Sequence, residues 1–277
     1  MSMTNPPVKV LTPSRTSGAE LIVSLLQYRH LLSLLIWRDI NVRYKQAVIG
    51  VLWVILQPVL MAFIFAFVFS RLIQVSSDGV PYLLFAYSGA TLWGLFAQGV
   101  DKSSLSIISD EHLITQVYFP RWILPLAAIG SVFLDFCATM LVLMIIVLLY
   151  GLNLGWHLLL IVPAVAFVMV VTIAAGVASA FLCAKFRDFR FLLSFLLQLG
   201  QFLTPVFYTL SLFPKKYLWL AYLNPLAGPM ELFRFGLTGI SHFSLWGLGL
   251  SLLMDGLLAL AAFKILYELE DDLIDYL

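Results

Sequence analysis

Long uncharged apolar runs alternate with short charged clusters along this chain. Residues 46 to 70 carry no charge, and neither do 79 to 100. From Trp122 to Ala184 the only charged side chain is Asp135. Phe191 to Phe213 is uncharged, and Leu245 to Leu266 is apolar with Asp255 inside it. A bilayer core of about 30 Å needs about 20 apolar helical residues, so runs of this length predict membrane spans. The run from 122 to 184 is too long for one helix. "GLNLGWH" (151–157), with glycines, an Asn and an interfacial Trp-His pair, divides it. Six spans follow, at about 47–70, 80–100, 122–150, 158–184, 191–213 and 245–266.

One apolar stretch, 217–240, is left over. Asn224-Pro225 and Gly228-Pro229 interrupt it, and it carries Glu231 and Arg234. Its pieces are too short to cross, which predicts a re-entrant or interfacial helical segment before the last span. The expected fold is all-α. It is a polytopic membrane protein with six transmembrane helices in one domain (47–277), preceded by a loose N-terminus (1–30) and an amphipathic interface helix (31–46). With six spans both termini share a side. Twelve of the sixteen Lys and Arg residues then fall on that side, four on the other. The excess of positive charge assigns that side to the cytoplasm.

Composition agrees with the pattern. The 277-residue chain is 62% hydrophobic and 11% charged, whereas a soluble domain carries roughly 25% charged residues. No signal peptide is evident at the N-terminus. Cys137 and Cys183 sit in or beside apolar runs and do not look like halves of an extracytoplasmic disulfide. There is no phosphate-loop motif, no His-Glu-x-x-His, no Cys-x-x-Cys and no carboxylate pair placed for acid–base work. These absences give no catalytic residues, no metal site and no cofactor on this chain, and nothing suggests nucleic acid.

Several segments carry candidate chemistry. In "LLSLLIWRDINVRYKQ" (31–46), Ser33, Ile36, Trp37, Ile40 and Tyr44 share one helical face; Arg38, Asn41 and Lys45 share a second, Asp39 and Arg43 a third. That arrangement suits a helix in the headgroup layer. It anchors topology, or its basic residues receive an anionic headgroup, or it docks a partner. Asp135 and Asp255 are intramembrane carboxylates, functional candidates by default. No Lys, Arg or His within a span is expected to pair with them. In the first span Trp53, Gln57, Leu60, Ile64 and Phe67 share a face, and in the fifth Phe195, Gln198, Phe202, Pro205 and Thr209 do. Rings mixed with amides suit helix packing, or a conduit in which sugars stack on aromatics. "AKFRDFRFLL" (184–193) places Lys185, Arg187, Asp188 and Arg190 around Phe186 and Phe189. At helical spacing the two rings form one apolar knob ringed by charge, the make-up of a docking hot spot.

Four segments, "RDINVRYKQAVIGVLWVILQPVL" (38–60), "LITQVYFPRWILP" (113–125), "KFRDFRFLLSFLLQLGQFLTPVFY" (185–208) and "YLNPLAGPMELFR" (222–234), resemble the ABC-2 type membrane subunits of bacterial polysaccharide exporters. The resemblance implies a transporter subunit, not an enzyme, in the bacterial inner membrane. It implies pairing with a second copy and with two cytoplasmic ATPase subunits, which hold ATP and Mg. The substrate would be a polysaccharide on a polyprenyl diphosphate, with O-antigen expected ahead of capsule or teichoic acid. Under this reading Arg38, Arg43, Lys45 and Arg121 meet the diphosphate at the entrance. Trp53, Gln57, Phe67, Phe195, Gln198 and Phe202 line the path, and residues 185–190 dock on the ATPase. Two alternatives stay open: an ABC-2 exporter of small lipophilic molecules, and a proton-coupled flippase using Asp135 and Asp255.

Overall fold

A computed structural model describes residues 18–45, 51–68, 79–117, 119–152, 155–240 and 244–269. Residues 1–17, which include Lys9 and Arg15 of the expected loose N-terminus, lie outside the described residues, as do Arg71 and the acidic tail from 270. Every regular element among the described residues is helical.

The described residues open with α1 (Gly18–Gln27) and α2 (Arg29–Tyr44). α2 occupies the stretch read as an interface helix. α3 (Val51–Phe65) continues through a wider π turn to Val68 and contains Pro58, which removes one intrahelical hydrogen bond. α4 (Tyr82–Ser109) starts directly after Pro81, α5 (Glu111–Gln116) is a short turn, and α6 (Ile123–Leu149) follows Pro120. A 3₁₀ turn (Trp156–Leu160) leads into α7 (Ile161–Lys185). α8 (Phe189–Leu203), α9 (Leu218–Tyr222), α10 (Ala227–Thr238) and α11 (Leu245–Leu269) follow among the described residues.

Four of these helices, α4, α6, α7 with its leading 3₁₀ turn, and α11, are long and apolar enough to cross a membrane. α3 and α8 are apolar but shorter, at 15 residues each. α8 stops at Leu203, not at 213. Thr204 precedes Pro205 and is extended (φ −88°, ψ 141°), because the proline ring disfavours helix at the residue before it. The chain then runs irregularly through Thr204–Phe207, all buried.

α4 is the axis of the fold. It packs most extensively on α7 and α6 and also meets α3, α8 and α10. It is the least apolar of the four long helices and the most buried. α6, α7 and α11 are more apolar and leave large side chains such as Leu141, Val162 and Leu260 exposed. In water that order would be inverted; here the outward faces are the ones lipid must solvate. Small and hydroxyl side chains, including Ala86, Ser88, Ser103, Gly176 and Ser179, let the inner helices approach.

The segment read as re-entrant forms α9 and α10. α10 has 12 residues, a rise of about 18 Å, too short to span. It is buried on nearly every side and is held by its ends. Asn224 Oδ1 accepts the Leu226 N–H (2.9 Å) at the start. Gly239 ends the helix in the left-handed region (φ 64°), where a Cβ would also strike the His157 ring. Between them, Gly228 N–H donates to Ser251 Oγ of α11 (3.1 Å), and Tyr222 donates to Glu231 (2.7 Å).

Candidate functional site

The charged face of α2 turns toward the bundle. Leu35, Asp39 and Arg43 follow one another at four-residue spacing; Leu35 is buried and the other two are half-buried. Leu34, Trp37 and Val42 are exposed instead. The face carrying Asp39 and Arg43 is therefore the seat of the helix.

Two ionic clasps fasten it. Arg38 grips Asp110, at the end of α4, with a fork: Nη1 to Oδ1 (2.9 Å) and Nη2 to Oδ2 (2.7 Å). Its Nε and Nη2 also donate to Asp39 Oδ1 (3.0 and 2.9 Å). The hydrogen bonds it donates to Asp110 raise the Arg38 pKa above its ordinary value, so it stays charged at any working pH. One turn and a half further on, Arg43 donates to Asp135 Oδ2 in α6 and to Ser131 Oγ (3.1 Å). Tyr44 donates its hydroxyl to Asp135 Oδ1, and Lys102 of α4 approaches Oδ2 (3.4 Å). Burial first, then the bond to Asp135, pushes the Tyr44 hydroxyl up to about 12, which keeps it a donor at neutral pH. The absence of a cationic partner for Asp135, expected from the sequence, is thus corrected. Arg43 and Lys102 lie just beyond the ends of the apolar runs and reach inward.

Asp135 also borders a cavity of about 200 Å³ between α3, α4, α6 and α8. Its walls include Gln57 and Met61 of α3, Trp93 and Gln98 of α4, Thr139 of α6 and Gln201 of α8. Three amides, a hydroxyl and an indole in a lipid-embedded bundle offer hydrogen bonds to a hydroxyl-rich ligand.

The other sequence-derived candidates are dispersed. Of the six proposed path residues, Gln57 borders the cavity. Trp53, Phe67, Phe195, Gln198 and Phe202 point away from the single chain and are exposed. Lys45 is exposed and Arg121 half-buried; neither joins the two clasps. Nothing in the local sequence pattern marks Lys102, Gln98 or Gln201 for this site. Gln201 lies three residues after Gln198, so the fifth-span stripe pointed to the right helix but to its outer face.

The charged knot at 185–190 is a break between two helices. α7 ends at Lys185, Phe186 is extended (φ −124°, ψ 105°), and α8 begins at Phe189. Phe186 projects outward at 52% exposure, with Lys185 Nζ over its ring at 5.6 Å. Phe189 packs inward against Val100, Cys183 and Leu193. The two rings do not form one knob, because helical spacing does not hold across the break. Arg187, Asp188 and Arg190 are exposed around Phe186.

Two further charges are buried. Arg234 of α10 donates to Val206 O (2.7 Å), and its guanidinium lies 3.6 Å from the centre of the Phe85 ring. Asp255 of α11 is 4% exposed, and neither carboxylate oxygen has a hydrogen-bond partner among the described residues.

The family comparisons agree with this architecture. Residues 30–238 match the ABC-2 type transporter family. An O-antigen export system permease protein, RfbA, of Klebsiella pneumoniae is 31% identical over 213 residues, covering 75% of this chain and 82% of the relative. A second Klebsiella pneumoniae RfbA is 29% identical over the same shares. The RfbA of Myxococcus xanthus is 29% identical over 191 residues, covering 69% of this chain and 73% of the relative. The chain is therefore a membrane protein of the ABC-2 type transporter family, whose members are transmembrane transporter subunits and not themselves enzymes.

Proposed function

We propose that this chain is the membrane subunit of an ATP-driven exporter that carries a lipid-linked polysaccharide of the O-antigen type across the bacterial inner membrane. The observation that carries the reading is the similarity to three O-antigen export permeases over most of the chain. The site is compatible with such a substrate. A cavity edged by amides and an indole suits sugar hydroxyls and sugar rings. The apolar helices α3 and α8 flank it, and both leave outward aromatic faces at Trp53, Phe67, Phe195 and Phe202. On this reading α3 and α8 act as the first and fifth of six crossings, and α9 with α10 forms a re-entrant pair. The outward faces of α3 and α8 meet a second copy, and the path runs between the two. The turn at 185–190 docks on an ATPase subunit. Both termini then lie in the cytoplasm.

The diphosphate needs cations, and the clasps refine which are offered. Arg38 and Arg43 are already engaged by carboxylates, so a phosphate would compete with Asp110 or Asp135 for them. Lys45 and Arg187 are exposed and form no ion pair among the described residues.

Co-expression with a candidate ABC ATPase, followed by purification and by tracking of labelled lipid-linked polymer, tests the reading. Loss of the membrane subunit should leave polymer on the cytoplasmic face. Polymer export that continues in its absence overturns the proposal.

A further inference from the structure

α11 packs on α7 and runs alongside it in the same direction. Leu248, near the start of α11, joins an apolar cluster that holds Val165 and Val168 of α7. Leu266 and Leu269, at its end, join another that holds Val177, Ala180, Phe181 and Ala184. The two helices therefore finish at the same face of the bundle, α7 at Lys185 and α11 at Leu269. Their continuations carry opposite charge. Lys264 pairs with Glu268 (3.7 Å). From there to Leu277 no cation follows, whereas Glu270, Asp271, Asp272 and Asp275 do. At the end of α7, Lys185, Arg187 and Arg190 surround the exposed ring of Phe186, with Asp188 the one carboxylate among them. Arg187 and Arg190 are exposed and form no ion pair among the described residues.

We propose that residues 270–277 dock on the Lys185–Arg190 turn of the same chain, their carboxylates against Lys185, Arg187 and Arg190. The patterns are complementary: acids flank Leu273 and Ile274 in one segment, and cations flank Phe186 in the other. The reach suffices. Packed helix axes lie about 8–10 Å apart, and Phe181 to Lys185 adds a rise of about 6 Å. Six extended residues cover about 20 Å. On the orientation proposed above, this face meets the cytoplasmic leaflet, whose anionic headgroups repel an acidic segment. The competing cations are engaged or isolated. Arg38, Arg43 and Lys102 are held by carboxylates, and Lys264 by Glu268. Lys45 stands past the Asp135 clasp on α6. Arg29 is exposed but has no second Lys or Arg near it in sequence. The consequence rests on the reading that this turn docks on an ATPase. The acidic segment then occupies the same surface, and the ATPase must displace it.

The full-length membrane subunit, purified alone in mild detergent, tests the contact without the ATPase. In a Cys137→Ser, Cys183→Ala background, Asp188→Cys and Ile274→Cys leave every proposed ion pair in place. They should form a disulfide within one chain, read by intact mass. Its yield should fall about tenfold between about 0.1 M and about 1 M salt, as the screening length drops from about 10 Å to about 3 Å. Arg187→Glu should lower the yield similarly, and Asp272→Lys added to it should restore the yield. Arg29→Glu should leave it unchanged. The proposal is overturned by no disulfide, by one indifferent to both salt and Arg187→Glu, by one that Arg29→Glu abolishes, or by one that joins two copies. Removal of residues 270–277 reads the consequence separately: affinity for the ATPase should rise about tenfold. A salt-sensitive disulfide with unchanged ATPase affinity upholds the contact and overturns instead the docking of this turn on the ATPase.

Discussion

Arg43, on the helix that precedes the first apolar helix, is ion-paired with Asp135, near the middle of α6. Two cations, Arg43 and Lys102, meet this one carboxylate, whose side chain is 8% exposed. The pair therefore joins α2, α4 and α6 at a point where water is scarce. Removing one member of a buried ion pair costs about 3–5 kcal/mol, because the other charge is left unpaired. Asp135→Ala should destabilise the purified protein by an amount of that order, read as a lower unfolding temperature. Arg43→Met should cost less, since Lys102 remains. The double variant should cost less than the sum, and strict additivity in thermal unfolding would show that the two side chains are not coupled.

The fork between Arg38 and Asp110 separates two roles for Arg38. If it holds α2 against α4, Arg38→Ala and Asp110→Asn should reduce export to a similar extent. If it receives the diphosphate, Asp110→Asn frees the guanidinium and should leave export intact or raise it. Arg38→Lys keeps the charge and loses the bidentate geometry, so the clasp role predicts a loss there too. With Arg38 40% exposed, the stability change should stay within about 1 kcal/mol, and export is the readout to trust.

Gly89 of α4 marks a close approach of two backbones in the core. A Cβ there would lie 2.3 Å from Val206 O and 2.6 Å from Arg234 Nη2. The first is backbone and cannot yield cheaply. Gly89→Ala should therefore destabilise by about 1–3 kcal/mol or more and loosen Arg234 from Val206. Gly249→Ala is the control, since a Cβ there meets nothing within 4 Å. It should be neutral or stabilise α11 by up to about 1 kcal/mol. Thermal unfolding of the two single variants, in the same detergent, decides the matter.

The amides around the cavity give a prediction on transport. Gln57→Leu, Gln98→Leu and Gln201→Leu keep much of the bulk and remove hydrogen bonds from the wall. Export should fall while the protein stays folded and assembled. Phe67→Leu and Phe202→Leu act on the outward faces of α3 and α8; if those faces meet a second copy as proposed, the changes should alter assembly or passage between copies. Measurement of exported polymer beside size-exclusion profiles separates these effects. Full export in the three amide variants would remove the cavity from the path.

The apolar runs were legible because bilayer thickness sets a length that composition reveals directly. The end of α8 was less so. The apolar run continues to Phe213, but Thr204-Pro205 breaks the helix inside it. Asp135 was recognisable as costly, yet its partners were not. Arg43 lies 92 positions away in sequence, on a helix whose inward face depends on tertiary packing. Lys102 looked like a loop charge because the helix carrying it extends beyond the uncharged run to Ser109. The cavity escaped for a similar reason. Gln98 and Gln201 belong to different helices, and no local period brings them together.

The turn between α7 and α8 supports the last prediction. Phe186 is exposed and extended, flanked by the exposed Arg187, Asp188 and Arg190. Phe189 is packed against Val100, Cys183 and Leu193 within the fold. If this turn docks on an ATPase, the two phenylalanines must respond differently. Phe186→Ala removes a ring that nothing in the chain's core uses, so the membrane subunit should remain as stable as wild type. Its affinity for the ATPase should fall by about 2 kcal/mol or more, the scale of an interface hot spot. Phe189→Ala should instead open a cavity within the bundle and lower the unfolding temperature, at a cost of about 3 kcal/mol if the site were fully buried and less here. Arg187→Glu reverses a rim charge and should weaken association in a salt-dependent way. Co-purification of the ATPase, with ATP hydrolysis and thermal unfolding measured on the same samples, distinguishes these outcomes. Phe186→Ala and Arg187→Glu variants that bind the ATPase and export normally would leave the turn with no part in coupling.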